Sequence, residues 1–473
     1  MRRASAVLAG LAIGIAASLI PLPSTAVRSP EVRSSESPAP ATAITPVACD
    51  QKIAVTLPMS ALDATSSSWS PDGRLLAIGA HAFSRMGSAA PDQQRVLLLT
   101  VATLELRDIA RGTDPVWSAD GSRLAFRDGH AWTDPAADLV VYDVASSVEV
   151  DRIAGASAKM PFGWRGGDLL YWKGSELWLW RGGTGSRVFD LARGPESGMV
   201  TVQFSGDGER AVITVGAWDR ALTEAAILDT RAGSIERLIG AWRLEPSPRG
   251  HNVFASFLDH RELRLEDGSV RSAPIPFTGG IVIWSSDGRQ PLLSPNEFVG
   301  FDNTADLETF DGSNAGVAVP TLLQSAAFNL GGDLFSGVRF GGRGPSSPAL
   351  YRCRMVEARP NPATVTVYYG ESSFEPWAAK RDGTAPPGWE ALAERDLRLV
   401  GLHPLEIGRI RTLEPSILCD QPKCPNGFGL RVVIPYADRD RAYSRCFREP
   451  YPNTFAMDAA IGAYQCVPLY SGS

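Results

Sequence analysis

Short apolar runs alternate with polar turns along most of the chain, at a spacing that predicts strands of five or six residues. From Ser68 the stretch "SWSPDGRLLAIGA" sets an aromatic residue, an Asp-Gly pair and then an apolar run. Asp-Gly supplies a hairpin turn because glycine takes positive φ at no steric cost, so the pattern predicts two strands joined by that turn. The same order returns as WSADG at Trp117, FSGDG at Phe204 and WSSDG at Trp284, and in degenerate form as WRGGD at Trp164, PSPRG at Pro246 and FNLGG at Phe328. The fifth positions of these pentapeptides fall at 73, 121, 168, 208, 250, 288 and 332. Apolar runs follow the turns, among them LLAIG from Leu75, RLAF from Arg123 and AVITV from Ala211, and in the first five repeats a third run follows, such as VLLLTV from Val96 and ELRLED from Glu262. Four strands and their turns consume about 40 to 45 residues, which is the period of a propeller blade. The aromatic before each turn would wedge between neighbouring blades, where large rings bury the most area.

Seven repeats predict an all-β, seven-bladed β-propeller over residues 49–356. The segment QKIAVTL, Gln51 to Leu57, lies ahead of the first turn and has no partner in the first blade. Placed beside ALYRCRMV from Ala349 as the outer strand of the last blade, it would close the ring and remove the open edges of a linear array. The competing arrangement uses TVTVYYG from Thr364 as that outer strand and leaves eight irregular units.

The aromatic-Ser-Pro-Asp-Gly turn followed by "RLLAI" or "RLAF", together with the later strand LVVYDV at Leu139, resembles the TolB-type β-propeller repeat family over roughly Asp50 to Met355. The resemblance is to the repeats and not to TolB itself, which carries an α/β domain ahead of its propeller. It implies the propeller fold and names no ligand.

From about Val356 the repeat stops. The C-terminal extension, residues 357–473, holds a strand at Thr364 to Tyr369, a helix in GWEALAERDLRLVG and four of the six cysteines. Trp389, Leu392, Leu397 and Val400 recur near helical spacing, with Pro387 before them and Gly401 to stop the helix; the pattern predicts packing against the propeller in preference to a partner-binding face.

The N-terminus changes the picture of compartment. Residues 1–26 combine Arg2 and Arg3, an apolar segment from Ala6 to Ile20 and a Ser-Thr-Ala site, the pattern of a secretory signal peptide; the segment is short for a membrane anchor. Residues 27–48 are rich in Ser, Pro and Ala and read as a flexible leader. The expected product is exported, periplasmic or secreted, with no membrane span after signal removal. In such a chain Cys49, Cys353, Cys419, Cys424, Cys446 and Cys466 are expected in disulfides. Ring closure suggests Cys49 with Cys353, leaving four to pair within the extension; a zinc site from those four is the alternative.

A formal net charge of −6 offers no basic footprint, which argues against nucleic acid. The chain contains no G-x-S-x-G, G-x-x-x-x-G-K or H-E-x-x-H sequence, and no G-x-G-x-x-G after a strand. No catalytic residue, cofactor or metal is therefore assigned. His81, His130, Trp218 and His260 stand at similar offsets after their turns, where second strands should end, and with Asp219 and Arg261 they form a candidate ligand-binding set on one loop face. The stretch from Ser294 to Val317, with Glu297, Asp302, Asp306, Glu308 and Asp311, reads as the longest loop of that kind, and ADRDRAYSR from Ala437 reads as self-neutralising surface charge. The expected function is binding of a protein or an envelope glycan, without catalysis. A propeller enzyme of the polysaccharide lyase or hydrolase type, with a metal or anion site at the channel mouth, is the alternative.

Overall fold

The computed structural model describes residues 46–57, 62–82, 94–128, 136–158, 160–191, 200–215, 224–241, 243–257, 260–274, 281–294, 304–320, 323–339, 346–356, 363–372, 384–411, 425–445 and 447. Residues 1–45, where the signal peptide and most of the leader are expected, and Cys419, Cys424, Cys446 and Cys466, lie outside the described residues. All described residues belong to the compact unit that begins at Ile44.

Five antiparallel four-stranded sheets follow one another along the chain, at 62–110, 113–157, 163–190, 200–238 and 243–273, each with its strands in sequence order. Two more four-stranded sets are fused into a sheet of eight. One set runs from Ile281–Trp284 to Asn314–Pro320. The other takes Leu323–Phe328, Leu334–Arg339 and Ser347–Met355, and is completed by Val47–Ile53 from the start of the chain. That strand pairs antiparallel with Ser347–Met355 and parallel with Asn314–Pro320 through Val47↔Val317 and Ala48↔Ala318. Successive four-stranded meanders are the construction of a β-propeller.

The repeated turn explains why each meander begins as it does. Ser70 Oγ donates to Asp72 Oδ1 at 2.6 Å and accepts the Leu75 N–H at 2.9 Å, while the Arg74 N–H donates to Asp72 Oδ1 at 3.0 Å. The Ser hydroxyl meets the same Asp carboxylate at Ser118–Asp120, Ser205–Asp207 and Ser285–Asp287. Gly73, Gly121, Gly208, Gly250, Gly288 and Gly332 close these turns with φ between 69° and 72°, a region where a side chain is strained.

The tryptophans do join neighbouring sheets. Trp117 Nε1 donates to the Ser68 carbonyl at 3.0 Å and Trp164 Nε1 to that of Val116 at 3.0 Å, in each case the residue just before the preceding set's aromatic. Trp69 Nε1 reaches back from the first sheet to the Ala327 carbonyl of the last set at 3.2 Å, so the same contact spans the two ends of the array. A Cys49–Cys353 disulfide staples the joining strands, as the closure argument expected.

Three expectations are corrected, and the competing arrangement for the outer strand falls away. The closing strand starts at Val47 rather than Gln51, because Cys49 enters the core of the eight-stranded sheet, while Val55 and Leu57 leave the strand and pack on the cluster around Leu76, Leu334 and Leu350. Thr364–Ser372 is not an outer propeller strand: it pairs with Pro425–Pro435, which pairs with Glu406–Arg411, in a separate three-stranded sheet. The supposed loop from 294 to 317 supplies two propeller strands, Thr304–Glu308 and Asn314–Pro320, joined at Gly312. Helix α1 (Trp389–Leu399) packs within the extension, burying Ala393 and Leu397 beside Val367, Leu430, Val432 and Ile434, so the extension has a core of its own. Among the described residues no helix is long and apolar enough to cross a membrane.

Candidate functional site

The first strands of successive sets approach one another, and Leu323–Phe328 also contacts Leu62–Trp69. First strands therefore form the inner wall, and a cavity of about 460 Å³ lies against four of them. Its wall includes Gln203, Arg243, Glu245, Arg249, Trp284 and Ser325. These come from Val200–Phe204, Arg243–Pro246 and the turn after it, Ile281–Trp284 and Leu323–Phe328. A cavity of this size lies within the range of small-ligand sites, about 300 to 1,000 Å³.

Two of the polar side chains satisfy each other. Arg243 Nε and Nη2 both donate to Glu245 Oε1 at 2.9 Å, and both side chains are about four-fifths buried. Alternation along the strand sends these two to the cavity and Leu244 to the core. Ser325 sits where the register to the next strand slips, with φ of 51°, which turns the wall irregular at that point.

Arg249 is of a different kind. It occupies the turn position that carries Asp72, Asp120, Asp207 and Asp287 in other repeats. The turn holds without a carboxylate, because the Ser247 hydroxyl donates to the Arg249 carbonyl at 2.5 Å and is placed 2.7 Å from that of Gly288, while the Arg249 N–H donates to Ser247 Oγ at 3.1 Å. The neighbouring turns close tightly around it. A Cβ on Gly206 would lie 1.8 Å from the Pro248 carbonyl oxygen, which requires glycine in FSGDG where the first repeat has proline. Burial holds the Arg249 guanidinium below the usual arginine range, partly offset by the charge of Asp287.

Of the candidates from the sequence, His130, Trp218 and Asp219 lie outside the described residues. His81 is half-buried on Leu75–Ala82, opposite Asp63. His260 stacks on Phe257 with ring centroids 4.2 Å apart and places Nε2 3.7 Å from Glu262 Oε1. Among the described residues no three His, Cys, Asp or Glu side chains are grouped to hold a metal ion.

Arg261 is fully buried beneath the extension. Its Nη1 lies 3.6 Å from Asp440 Oδ2, Nη2 donates to the Thr309 carbonyl at 3.5 Å, and the guanidinium sits 5.7 Å from the Phe310 ring centroid. Asp440 belongs to α2 (Arg439–Ser444), which follows a 3-10 turn at Tyr436–Asp438. In that segment Asp438, Arg439 and Asp440 are buried, which corrects the reading of ADRDRAYSR as surface charge. Pro435, with φ of −53°, ends the strand, and the helical turn that follows sends the charges inward to the propeller. Arg439 pairs with the buried Glu308, whose Oε1 also accepts from Tyr436 Oη at 3.2 Å. Burial, aided by the Asp440 carboxylate, pushes the Glu308 carboxyl up to about 8, against the opposing pull of Arg439. Burial likewise raises Asp440 and Tyr436.

No protein-family model and no curated protein matches the chain. Among solved structures, a chain of the mitotic checkpoint complex is similar at 14% identity over 69% of this chain and 98% of that one, with a TM-score of 0.42. The β-propeller domain of the Trilobed protease from Pyrococcus furiosus matches at 11% identity over 63% of this chain and 82% of that one, TM-score 0.34. TolB from Acinetobacter baumannii matches at 11% identity over 63% and 65% respectively, TM-score 0.31. At these scores the likenesses carry no weight, and the propeller architecture rests on the sheets themselves.

Proposed function

We propose that the chain is an exported, non-catalytic, seven-bladed β-propeller that binds a protein or cell-envelope component in its central cavity. On this reading residues 1–26 are removed on export, 27–48 form a leader, 49–356 make the ring and 357–473 a disulfide-containing extension. The observation that carries it is the inner cavity, lined by four first strands and holding an arginine that no turn or core requires. The disulfide at the seam supports export, since such bonds persist in oxidising compartments. His81, His130, Trp218, Asp219 and His260 serve on this reading as the rim, with Arg261 given over to the extension. The test is retention of the purified exported protein on isolated envelope material. Gln203→Trp, at an exposed position of the cavity wall, fills the space and is expected to weaken retention at least tenfold. Absence of retention overturns the binding function, and retention unaffected by Gln203→Trp overturns the cavity as its site.

A further inference from the structure

We propose that the cavity takes a ligand bearing a single carboxylate, with Arg249 as its principal partner; the assignment rests on the cavity being the binding site. Three observations carry it. Among the described residues Arg249 makes no side-chain hydrogen bond and no ion pair within 4 Å, although it is half-buried in the cavity wall. A cation in that position has lost water without gaining a partner, and an incoming anion restores what was lost. The turn, moreover, does not use the side chain, since Ser247 closes it through backbone carbonyls.

The second observation is Trp284. Trp69, Trp117 and Trp164 each donate their indole N–H to the carbonyl just before the preceding aromatic. By that rule Trp284 should bond to the Glu245 carbonyl, yet its Nε1 has no acceptor although the residue is only 7% exposed. The residue that carries this unpartnered N–H lines the same cavity as Arg249. Nε1 is itself buried, so a small shift of the ring on ligand entry is part of the proposal: it would bring the N–H to an acceptor oxygen and complete it.

The third is the balance of charge. Arg243 and Glu245 neutralise each other, leaving Arg249 as the uncompensated charge of the wall, with Asp287 acting on it through space. A monoanion suits one surplus cation, whereas a phosphate dianion would exceed it and share the wall with the Glu245 carboxylate. The planar guanidinium fork matches a carboxylate in two parallel hydrogen bonds. The volume admits a ligand of dipeptide or disaccharide size, and a carboxylate is the chemistry common to a peptide C-terminus and a uronic acid.

The experiment titrates the exported protein by calorimetry with an N-acetyl dipeptide and its C-terminal amide, a glucuronic-acid disaccharide and its methyl ester, and inorganic phosphate. One of the two acids is expected to bind, with its neutral partner and phosphate at least tenfold weaker; which acid binds identifies the source. Arg249→Asp recreates the Ser-Pro-Asp-Gly sequence of residues 70–73, so the turn should form and the melting transition persist while acid binding falls at least tenfold. Arg249→Lys should recover part of the affinity. Equal binding of acid and neutral probes, phosphate binding as tightly as the acid, no binding at millimolar concentration, or an unaltered affinity in Arg249→Asp overturns the proposal. If Gln203→Trp still abolishes envelope retention in those cases, the cavity survives as the site and only the carboxylate falls.

Discussion

Arg249 and Arg261 belong to the same sheet, 243–273 with its first turn, and burial lowers the pKa of both, yet the molecule answers the two in opposite ways. Arg261 is enclosed by chain: Asp440, Thr309 and Phe310 surround it, and the Glu308–Arg439 pair stands next to it. Arg249 lies on the cavity wall and, among the described residues, has the charge of Asp287 acting on it and no ion pair. An arginine cannot shed its charge at accessible pH, so each must find compensation elsewhere. The enclosed one finds it in the C-terminal extension and thereby fixes that extension to the ring. The open one finds none among the described residues, which is why the proposed site is placed there.

The sharpest break of this contrast is Asp440→Ala. It strands Arg261 in a fully buried position, and removal of one partner from a buried ion pair costs about 3–5 kcal/mol. Urea unfolding should show that loss. Arg249→Ala, which removes a cation that nothing pairs, should stay within about 0.5 kcal/mol of the parent. A loss below about 1 kcal/mol for Asp440→Ala would mean that the cluster under the extension is as open to water as the cavity is.

A smaller effect follows from Glu308. Its carboxyl is pushed up to about 8 in the folded chain from an ordinary value of 4.5. Between those values the folded chain holds a proton that the unfolded chain has lost, so the stability this group contributes is complete below about pH 4.5 and declines as the pH rises towards 8. The groups that set it are Asp440, Arg439 and Tyr436 from the extension and Arg261 from the ring. The limiting slope is about 1.4 kcal/mol per pH unit, and Glu308→Gln should flatten it. The measurement is the urea midpoint from pH 5 to 9; a parent curve that rises over this range, or one unaffected by Glu308→Gln, would contradict the enclosed carboxyl.

The same contrast separates what the sequence discloses from what it conceals. The Asp-Gly turns at Gly73, Gly121, Gly208 and Gly288 are local: a φ that favours glycine and a Ser-to-Asp hydrogen bond two residues away are written within five positions. The closing strand and the Cys49–Cys353 bond follow from the need of a linear array to lose its edges. The strand Thr304–Glu308 is hidden because Asp306 and Glu308 look like loop chemistry, and its partner Asn314–Pro320 is lost with it; Glu308 meets its buried partners Tyr436 and Arg439 in a segment more than a hundred residues later in the chain. ADRDRAYSR was misread for the same reason: its charges are solvated until Arg261 and Glu308 are brought to it. The cavity did leave a trace. Pro-Ser-Pro-Arg-Gly at 246–250 counts as a degraded repeat, but its arginine departs from the repeat at a position facing the inner wall, and departures from a structural rule are where function is to be sought.

The finest test compares two tryptophans. Trp117 and Trp284 occupy equivalent positions before their turns and are 6% and 7% exposed, so truncating either to phenylalanine removes nearly the same buried area. Packing losses should therefore cancel in the difference. What remains is the Trp117 Nε1 bond to the Ser68 carbonyl, against a Trp284 Nε1 that has no acceptor among the described residues. Trp117→Phe forfeits a hydrogen bond worth about 1 kcal/mol net, whereas Trp284→Phe relieves an unsatisfied donor and should be the milder change by at least that amount. Equal losses in paired urea titrations would show that Trp284 has an acceptor in solution, either the Glu245 carbonyl or an ordered water. In the presence of a bound carboxylate the difference should shrink, because Trp284→Phe then also loses a hydrogen bond.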